Sequence, residues 1–179
     1  AELAEKGMLA VGCALLAIMI YIWFRFEWQF SIAAVIALGH DVISTVGLFA
    51  LASFEFNLAT VAAILTIAGY SINDTVVVFD RVRENLRKYK SWDQAKILNK
   101  SLNETLSRTV MTSVTTSLAL LAIIIFGGAV LRDFALAMLW GVTIGTYSSI
   151  FVAVGVISRF DLKRSDDEDN SAPVPEYER

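Results

Sequence analysis

The sequence predicts an all-α membrane protein, built as a bundle of five transmembrane helices. Of its 179 residues, 56% are hydrophobic, and the mean hydropathy is +0.59. Soluble domains are usually about 45–50% apolar. Five apolar stretches approach the roughly 20 residues that a helix needs to cross a bilayer. Because backbone polar groups must be paired within the segment in lipid, we expect these stretches to be helices.

The five predicted spans are residues 7–24, 30–53, 58–79, 109–126 and 134–158, and together residues 1–160 form the bundle. Both prolines lie in the C-terminal tail, so the sequence predicts no proline kink in any span. The tail, residues 161–179, is acidic and nearly free of large apolar side chains, which predicts disorder. Cys13 is the single cysteine, so no intrachain disulfide is possible.

The connection between the third and fourth spans, residues 80–107, is predicted to be a cytoplasmic amphipathic loop. Its first part continues the third span as a charged helix. Ser91 and Ser101 are each followed three residues later by Gln94 and Glu104, which is the pattern of a capping box. Apolar residues fall between them at helical spacing. The amphipathic pattern is consistent with a helix lying on the inner membrane surface. It is equally consistent with a solvated helix packed on neighbouring loops. The apolar residues are Trp92, Ala95, Leu98 and Leu102.

The distribution of lysine and arginine predicts the orientation. With the N-terminus outside, the inner segments carry twelve of these residues and the outer segments two, leaving aside Arg108 at a boundary. The positive-inside rule therefore places the C-terminus in the cytoplasm. An odd number of spans that starts outside leads us to expect a chain that forms the C-terminal part of a longer protein.

Asp74 lies inside the third span and is the leading candidate for a functional residue. A carboxylate within a membrane helix is costly, and by default it marks a pathway for ions or protons. Thr66, Tyr70 and Asp74 are spaced four apart, with Ser71 and Asn73 beside them, so we expect this polar face to point into the bundle. Desolvation favours the neutral form of such an acid, and a nearby cation favours the ionised form. An acid under both influences can take up and release a proton.

Arg108 begins the fourth span and is the natural counter-charge for Asp74. Thr112 and Thr116 share its helical face and, with Tyr70 and Asn73, are possible supporting polar residues. Two plainer interpretations stay open. Arg108 could be a residue at the end of the span that snorkels, extending its charged group to the membrane surface. Asp74 also fits a hydrogen-bonded carboxyl that fastens helices together.

His40 and Asp41 lie near the middle of the second span. Imidazole titrates near neutrality, so the pair could extend a proton relay, or it could form a hydrogen-bonded clamp between helices. We favour the clamp, because adjacent residues on a helix point in different directions and should not share one site. With one histidine and one cysteine, the usual zinc arrangements are excluded, and we expect no metal and no cofactor.

Small and hydroxylated residues in the last two spans predict close helix packing. The fourth span is rich in threonine and serine. In the fifth, Gly141 and Gly145 form a small-xxx-small motif that is followed by the hydroxyl residues Thr146, Ser148 and Ser149.

Four motifs closely resemble the SecF family, the smaller membrane subunits of the bacterial SecD–SecF protein-export complex. They are Gly39–Asp41, Gly69–Asn85, Ser107–Thr109 and Phe126–Gly128. The resemblance implies half of a resistance–nodulation–division transporter, without its first helix and periplasmic domain. It places the chain in the bacterial inner membrane with a periplasmic N-terminus. It also implies that Asp74 is the functional acid and Arg108 the functional arginine.

By this resemblance, the expected function is to use the proton-motive force to assist polypeptide translocation through the Sec channel. The expected partners are SecD, the SecYEG translocon, exported polypeptides and protons, with no nucleic acid. No catalytic nucleophile is expected in such a subunit, so we predict that it is not an enzyme. Two alternatives stay open: a proton-coupled exporter of small molecules or lipids, and a scaffold in which Asp74 and Arg108 form a permanent clamp.

Overall fold

The structure, a computed structural model, describes residues 2–52 and 58–162. These residues form α1 (Glu2–Arg25), α2 (Trp28–Ala52), α3 (Leu58–Lys88), α4 (Gln94–Phe126) and α5 (Gly128–Tyr147), then a π-helical turn (Ser148–Ala153) and the short α6 (Val154–Ile157). The described ranges contain no β-strand. Five helices are long and apolar enough to cross a membrane, so the predicted fold class is confirmed. The tail predicted to be disordered, residues 161–179, lies outside the described residues from position 163 onward. Its start was predicted wrongly, because Leu162 is buried in the core and its backbone N–H donates to Oε1 of Gln94 at 3.3 Å.

The helix α4 differs from the sequence-based expectation, because it runs without interruption from Gln94 to Phe126. No glycine or proline occurs in this range to end it. Its first turns therefore continue the fourth span instead of lying along the membrane surface. Ile97 and Leu98 are buried in a cluster with Leu86 and Tyr89, so neighbouring protein covers the apolar face. This arrangement is closer to the second alternative, a helix packed on its neighbours.

The two predicted capping boxes are wrong. The residue that caps α4 is Asp93, whose carboxylate accepts a hydrogen bond from the backbone N–H of Ala95 at 3.2 Å. Ser101 lies inside the helix, where its hydroxyl donates to the carbonyl of Ile97 at 2.8 Å. A serine that bonds to the preceding turn in this way does not interrupt a helix, which explains why the motif did not mark a helix start.

The helix α3 lies at the centre of the bundle and contacts each of the other four long helices. At the end of the bundle where α1 and α3 finish, Phe79 packs edge-to-face against Phe30 and Phe26, with ring centroids 5.2 and 6.3 Å apart. All three rings are nearly inaccessible. Aromatic pairs of this geometry add to the stabilisation that their burial provides, so they fix α3 against α2.

The helix α5 lies against α3 in a constant register. Gly141 faces Ile67, Gly145 faces Ser71, and one turn later Ser149 bonds to Thr75 with 2.9 Å between the hydroxyl oxygens. A Cβ atom added to Gly141 would lie 2.2 Å from Cγ1 of Ile67. The small-xxx-small motif of the fifth span thus lets two backbones approach closely, as its spacing predicted.

Candidate functional site

The polar residues of α3 form two rows on different sides of the helix. One row contains Ser71 and Thr75 and faces α2 and the π-helical turn. The other contains Tyr70, Arg81 and Asn85, each of which bonds to α4. Asp74 follows Tyr70 by one turn and belongs to this second row. The helix therefore carries two separate polar interfaces within the bundle.

Asp74 is buried, with 2% of its surface exposed. Its Oδ2 atom is inaccessible and makes no hydrogen bond within the described part of the chain. Arg108 is the cation whose charge acts on this carboxyl. Among the described residues, however, no guanidinium nitrogen of Arg108 lies within 4.0 Å of a carboxylate oxygen. The two residues interact through their charges without forming a closed ion pair.

The contacts between α3 and α4 define their relative depth. The Tyr70 hydroxyl lies 3.5 Å from that of Thr116, Arg81 Nε donates to Glu104 at 2.6 Å, and Asn85 Nδ2 donates to Ser101 at 2.9 Å. Numbers rise along one helix as they fall along the other, so the helices are antiparallel.

This register places Thr112 at the level of Asp74. Arg108 lies one turn nearer the charged end of the bundle, which is roughly 6 Å along the axis. An arginine side chain is long enough to cover that distance along an apolar surface. Arg108 itself is exposed on the surface of this chain, whereas Thr109 beside it is buried with its hydroxyl oxygen unpaired among the described residues.

The polar face around Asp74 is narrower than predicted. Tyr70 and Thr112 are half-buried, but Asn73 and Thr66 are exposed. A step of four residues turns a helix by about 40°, so Thr66 lies about 80° away from Asp74 around the axis. The Thr66 hydroxyl donates to the carbonyl of Ala62 at 2.7 Å, which satisfies it without a partner helix.

Asp41 is fully buried and joins three elements of the bundle. Its Oδ2 atom accepts a hydrogen bond from the Ser148 hydroxyl at 2.7 Å and a second from the Ser71 hydroxyl. Its Oδ1 atom lies 3.0 Å from Nδ1 of His40. The backbone carbonyl of Asp41 also accepts a bond from the Thr45 hydroxyl. Both carboxylate oxygens of Asp41 are therefore paired.

The prediction that His40 and Asp41 cannot share one site is wrong. Their Cβ atoms point in different directions, but the flexible side chains turn toward each other and meet at Oδ1. The His40 side chain remains 40% exposed, and its ring centroid is 6.5 Å from that of Tyr147. Asp41 nevertheless has the geometry of the expected clamp, because its second oxygen holds α3 and the π-helical turn.

Ser148 and Ser149 were identified only as packing residues from the sequence. They begin the π-helical turn, a rare geometry that is frequent at functional sites. Ser148 bonds to Asp41, while Ser149 bonds to Thr75 and to the carbonyl of Ser71. The turn thus directs two adjacent hydroxyls at α2 and α3. The signal in the sequence was a run of hydroxyl residues directly after the glycine motif.

A network of charges joins α3 to α4 at the end of the bundle near Lys88. Glu104 accepts hydrogen bonds from Arg81 at 2.6 Å and from Asn85 at 2.8 Å, and it pairs with Lys100 at 3.1 Å. Arg81 also donates to Glu84. These bonds fix the α3–α4 interface on one side of the candidate site. Within the described residues, no group of three or more His, Cys, Asp or Glu side chains could hold a metal ion.

A family model described as "Protein export membrane protein SecD/SecF, C-terminal" matches residues 1–163. The protein translocase subunit SecF of Rhodobacter capsulatus is 56% identical over 164 residues, which cover 92% of this chain and 49% of the relative. SecF of Magnetococcus marinus is 57% identical over 160 residues, covering 89% and 51%. The chain thus spans about half the length of these relatives.

Part of each of two solved SecDF structures has the same fold as this chain. The structure of SecDF from Thermus thermophilus, described as a translocon-associated membrane protein, has a TM-score of 0.84 and 48% identity, and the match covers 88% of this chain and 22% of that one. SecDF in its super-membrane-facing form has a TM-score of 0.82 and 48% identity, with coverages of 89% and 22%.

Proposed function

The chain belongs to the SecD/SecF family of protein-export membrane proteins, as its motifs predicted, and from this premise we propose that it couples proton movement to export. In this proposal the chain assembles with SecD beside the SecYEG channel in the bacterial inner membrane. Protons moving down their gradient titrate Asp74, and the change in charge drives a movement that assists an exported polypeptide. The proposed orientation has the N-terminus in the periplasm and the C-terminus in the cytoplasm.

One observation supports Asp74 as the proton carrier: its Oδ2 atom is buried and has no hydrogen-bond donor in the described structure. A carboxylate in this state can be protonated without breaking an existing hydrogen bond. Burial in an apolar environment favours the neutral form, and the positive charge of Arg108 favours the ionised form. In this proposal the opposition of these two influences lets the carboxyl take up and release a proton.

Protonation would also change the force between α3 and α4. The ionised carboxylate attracts Arg108, and the neutral acid does not, so proton uptake would remove an electrostatic attraction between α3 and α4. Each charge that crosses about 100 mV provides roughly 2.3 kcal/mol, which is sufficient to shift the balance between two packed states. Thr112, at the depth of Asp74, and Tyr70, one turn away on α3, are both half-buried and are proposed to line the path.

The test is Asp74→Asn in the complete export complex, reconstituted in vesicles with an imposed proton gradient. The amide has the same shape and cannot be ionised, so we expect normal insertion and assembly with proton flux reduced to that of vesicles without the complex. Gradient-dependent late translocation should stop as well. Asp133→Asn, at an exposed aspartate, is the matched control and should leave both measurements unchanged.

Normal flux and export by the Asp74→Asn complex would remove Asp74 from the mechanism. Weakened assembly with unchanged flux would instead support the scaffold interpretation, in which Asp74 and Arg108 fasten helices together. The geometry argues against that alternative, since the described structure shows no contact within 4.0 Å between the two charged groups.

A further inference from the structure

An open cleft lies between the end of α1 and the charged continuation of α3. Its volume is about 410 Å³. Four basic and two acidic side chains line it: Arg25, Arg83, Arg87 and Lys88, with Asp80 and Glu84. An excess of positive charge in a concave site between helices is suited to binding an anion.

Both acidic residues of the cleft already have a basic partner. Arg25 Nη2 donates to the two carboxylate oxygens of Asp80 at 3.1 and 3.3 Å. Glu84 accepts a hydrogen bond from Arg81 at 2.6 Å, and Arg81 does not line the cleft. The charges of Arg83 and Arg87 are therefore not balanced by an acid of the cleft.

Arg83 has unused hydrogen-bonding capacity. Its Nη1 atom makes one long bond, 3.4 Å, to the backbone carbonyl of Arg25 at the end of α1. Its Nε atom is inaccessible and has no acceptor in the described part of the chain. A guanidinium presents Nε and a terminal nitrogen along one edge, which matches two oxygens of a phosphate group. A small rotation of the Arg83 side chain would turn this edge toward the cleft, where a bound oxyanion would satisfy the buried donor.

Exposed aromatic residues place the cleft at the depth of lipid headgroups. Trp23, Phe24 and Trp28, at the adjoining ends of α1 and α2, are 67%, 88% and 53% exposed. Aromatic residues at the ends of membrane helices mark the boundary between hydrocarbon and water. The predicted orientation puts this end on the cytoplasmic side, where anionic lipids attract basic residues.

We propose that this cleft binds the phosphate group of an anionic phospholipid, with Arg83 and Arg87 as its main contacts. The bound phosphate would bridge the α1 end to α3, beside the Arg25–Asp80 pair. The fatty acyl chains would lie along the exposed aromatic side chains. This inference does not depend on the proton-relay proposal, because none of its residues belongs to that site.

The test measures phosphatidylglycerol binding to the complete, detergent-solubilised complex by native mass spectrometry. A basic residue near the membrane surface contributes about fivefold to affinity for anionic lipid. We therefore expect Arg83→Gln with Arg87→Gln to weaken binding about 25-fold on the same basis. Because Arg83 also bonds to the end of α1, Arg87→Gln alone provides a second test and should weaken binding about fivefold.

The matched control replaces two basic residues outside the cleft, Lys96→Gln with Arg159→Gln, and should leave the affinity unchanged. Zwitterionic phosphatidylcholine should not occupy the site in any variant, and inorganic phosphate at equal concentration should not displace phosphatidylglycerol. An equal loss in the control would show a general surface attraction and overturn the proposal. Displacement by inorganic phosphate as effective as by the lipid would overturn it too, by assigning the cleft to a free anion.

Discussion

Asp41 and Asp74 are two aspartates buried to a similar degree in one helical bundle, and they differ in their partners. Asp41 is 0% exposed and Asp74 is 2% exposed. The carboxylate of Asp41 contacts Ser71, Ser148 and His40. Asp74 has a buried oxygen without a hydrogen bond among the described residues. Burial alone therefore does not distinguish a structural carboxyl from one that can exchange a proton.

The hydrogen-bond partners make that distinction. Ser71 and Ser148 donate to Oδ2 of Asp41, and His40 lies beside Oδ1, so both oxygens of this carboxylate have partners. The buried Oδ2 atom of Asp74 has none among the described residues. Asp41 lies where α2, α3 and the π-helical turn meet, as a residue that fastens three elements together must. Asp74 faces α4, and its proposed role in proton exchange does not require several hydrogen-bond partners.

The largest expected effect distinguishes the two carboxyls directly. Asp41→Asn should lower the free energy of unfolding by roughly 1–3 kcal/mol, because the hydrogen bonds from Ser71 and Ser148 are weaker to a neutral amide oxygen than to a carboxylate. Asp74→Asn should not destabilise the protein, since a neutral amide costs less to bury than an unpaired carboxylate. Denaturant unfolding of the two variants in mixed micelles, followed by circular dichroism, measures both.

The proton flux of the same two variants completes the comparison. The folded fraction of the Asp41→Asn complex should keep its flux, and the Asp74→Asn complex should lose it. Equal destabilisation by both substitutions would contradict the assignment of different roles. Loss of flux without loss of stability in Asp41→Asn would assign the proton to the His40–Asp41 pair instead.

The second prediction concerns the close approach that brings the Asp41 site together. Gly141→Ala would place a Cβ atom 2.2–2.7 Å from three side-chain atoms of Ile67, which is buried and cannot move aside. Overpacking of this kind costs about 1–3 kcal/mol. The same unfolding measurement applies, with Gly155→Ala as the control. A Cβ atom added there would meet no atom of the described residues within 4 Å apart from its chain neighbours and the backbone of its own helix.

Gly141→Ala also sharpens the comparison between the two sites. Moving α5 away from α3 separates Ser148 from Asp41 but leaves α4 beside Asp74. The combination of Gly141→Ala with Asp41→Asn should therefore cost less than the two single effects added together. Full additivity would show that the glycine contact and the Asp41 site are independent.

Much of the fold was predictable from the sequence, because hydrophobic length identifies membrane helices directly. All five were found, and the glycine motif correctly predicted a close helix pair. The course of α4 was not predictable, since whether its first turns lie on the membrane or against α3 depends on tertiary packing, here the buried cluster that contains both Ile97 and Leu86. Both capping predictions failed because Ser101 bonds within the helix and Asp93 took the cap.

In the candidate site, too, the sequence could not predict what depends on contacts between helices. Asp74 could be identified because a carboxylate in an apolar run is unusual whatever surrounds it. The partners of Asp41 lie on α3 and the π-helical turn, far apart in sequence, and only the register between helices brings them together. The sequence identified both acids as candidates, but it could not show which of them had its hydrogen bonds satisfied.

The smallest predicted effect tests whether the hydroxyls around Asp41 act as a unit. Ser148→Ala removes one bond to Oδ2, and hydrogen bonds between membrane helices contribute about 0.6 kcal/mol on average. Ser71→Ala should cost a similar amount. Because both serines donate to the same oxygen, the double variant should deviate from additivity. Ser158→Ala is the control, because among the described residues this hydroxyl bonds to the carbonyl of Gly155, three residues earlier, and to no other helix.

Unfolding in mixed micelles measures these differences, and proton flux should be normal in all the serine variants. Strict additivity of Ser71→Ala and Ser148→Ala would mean that each hydroxyl finds another acceptor when its neighbour is lost. The carbonyl of Gly145, 3.2 Å from the Ser148 hydroxyl, is the nearest available one. In that case the packing of α2, α3 and the π-helical turn would be stabilised mainly by the Gly141 and Gly145 contacts. Asp41 would then contribute less to holding these elements together than its hydrogen bonds indicate.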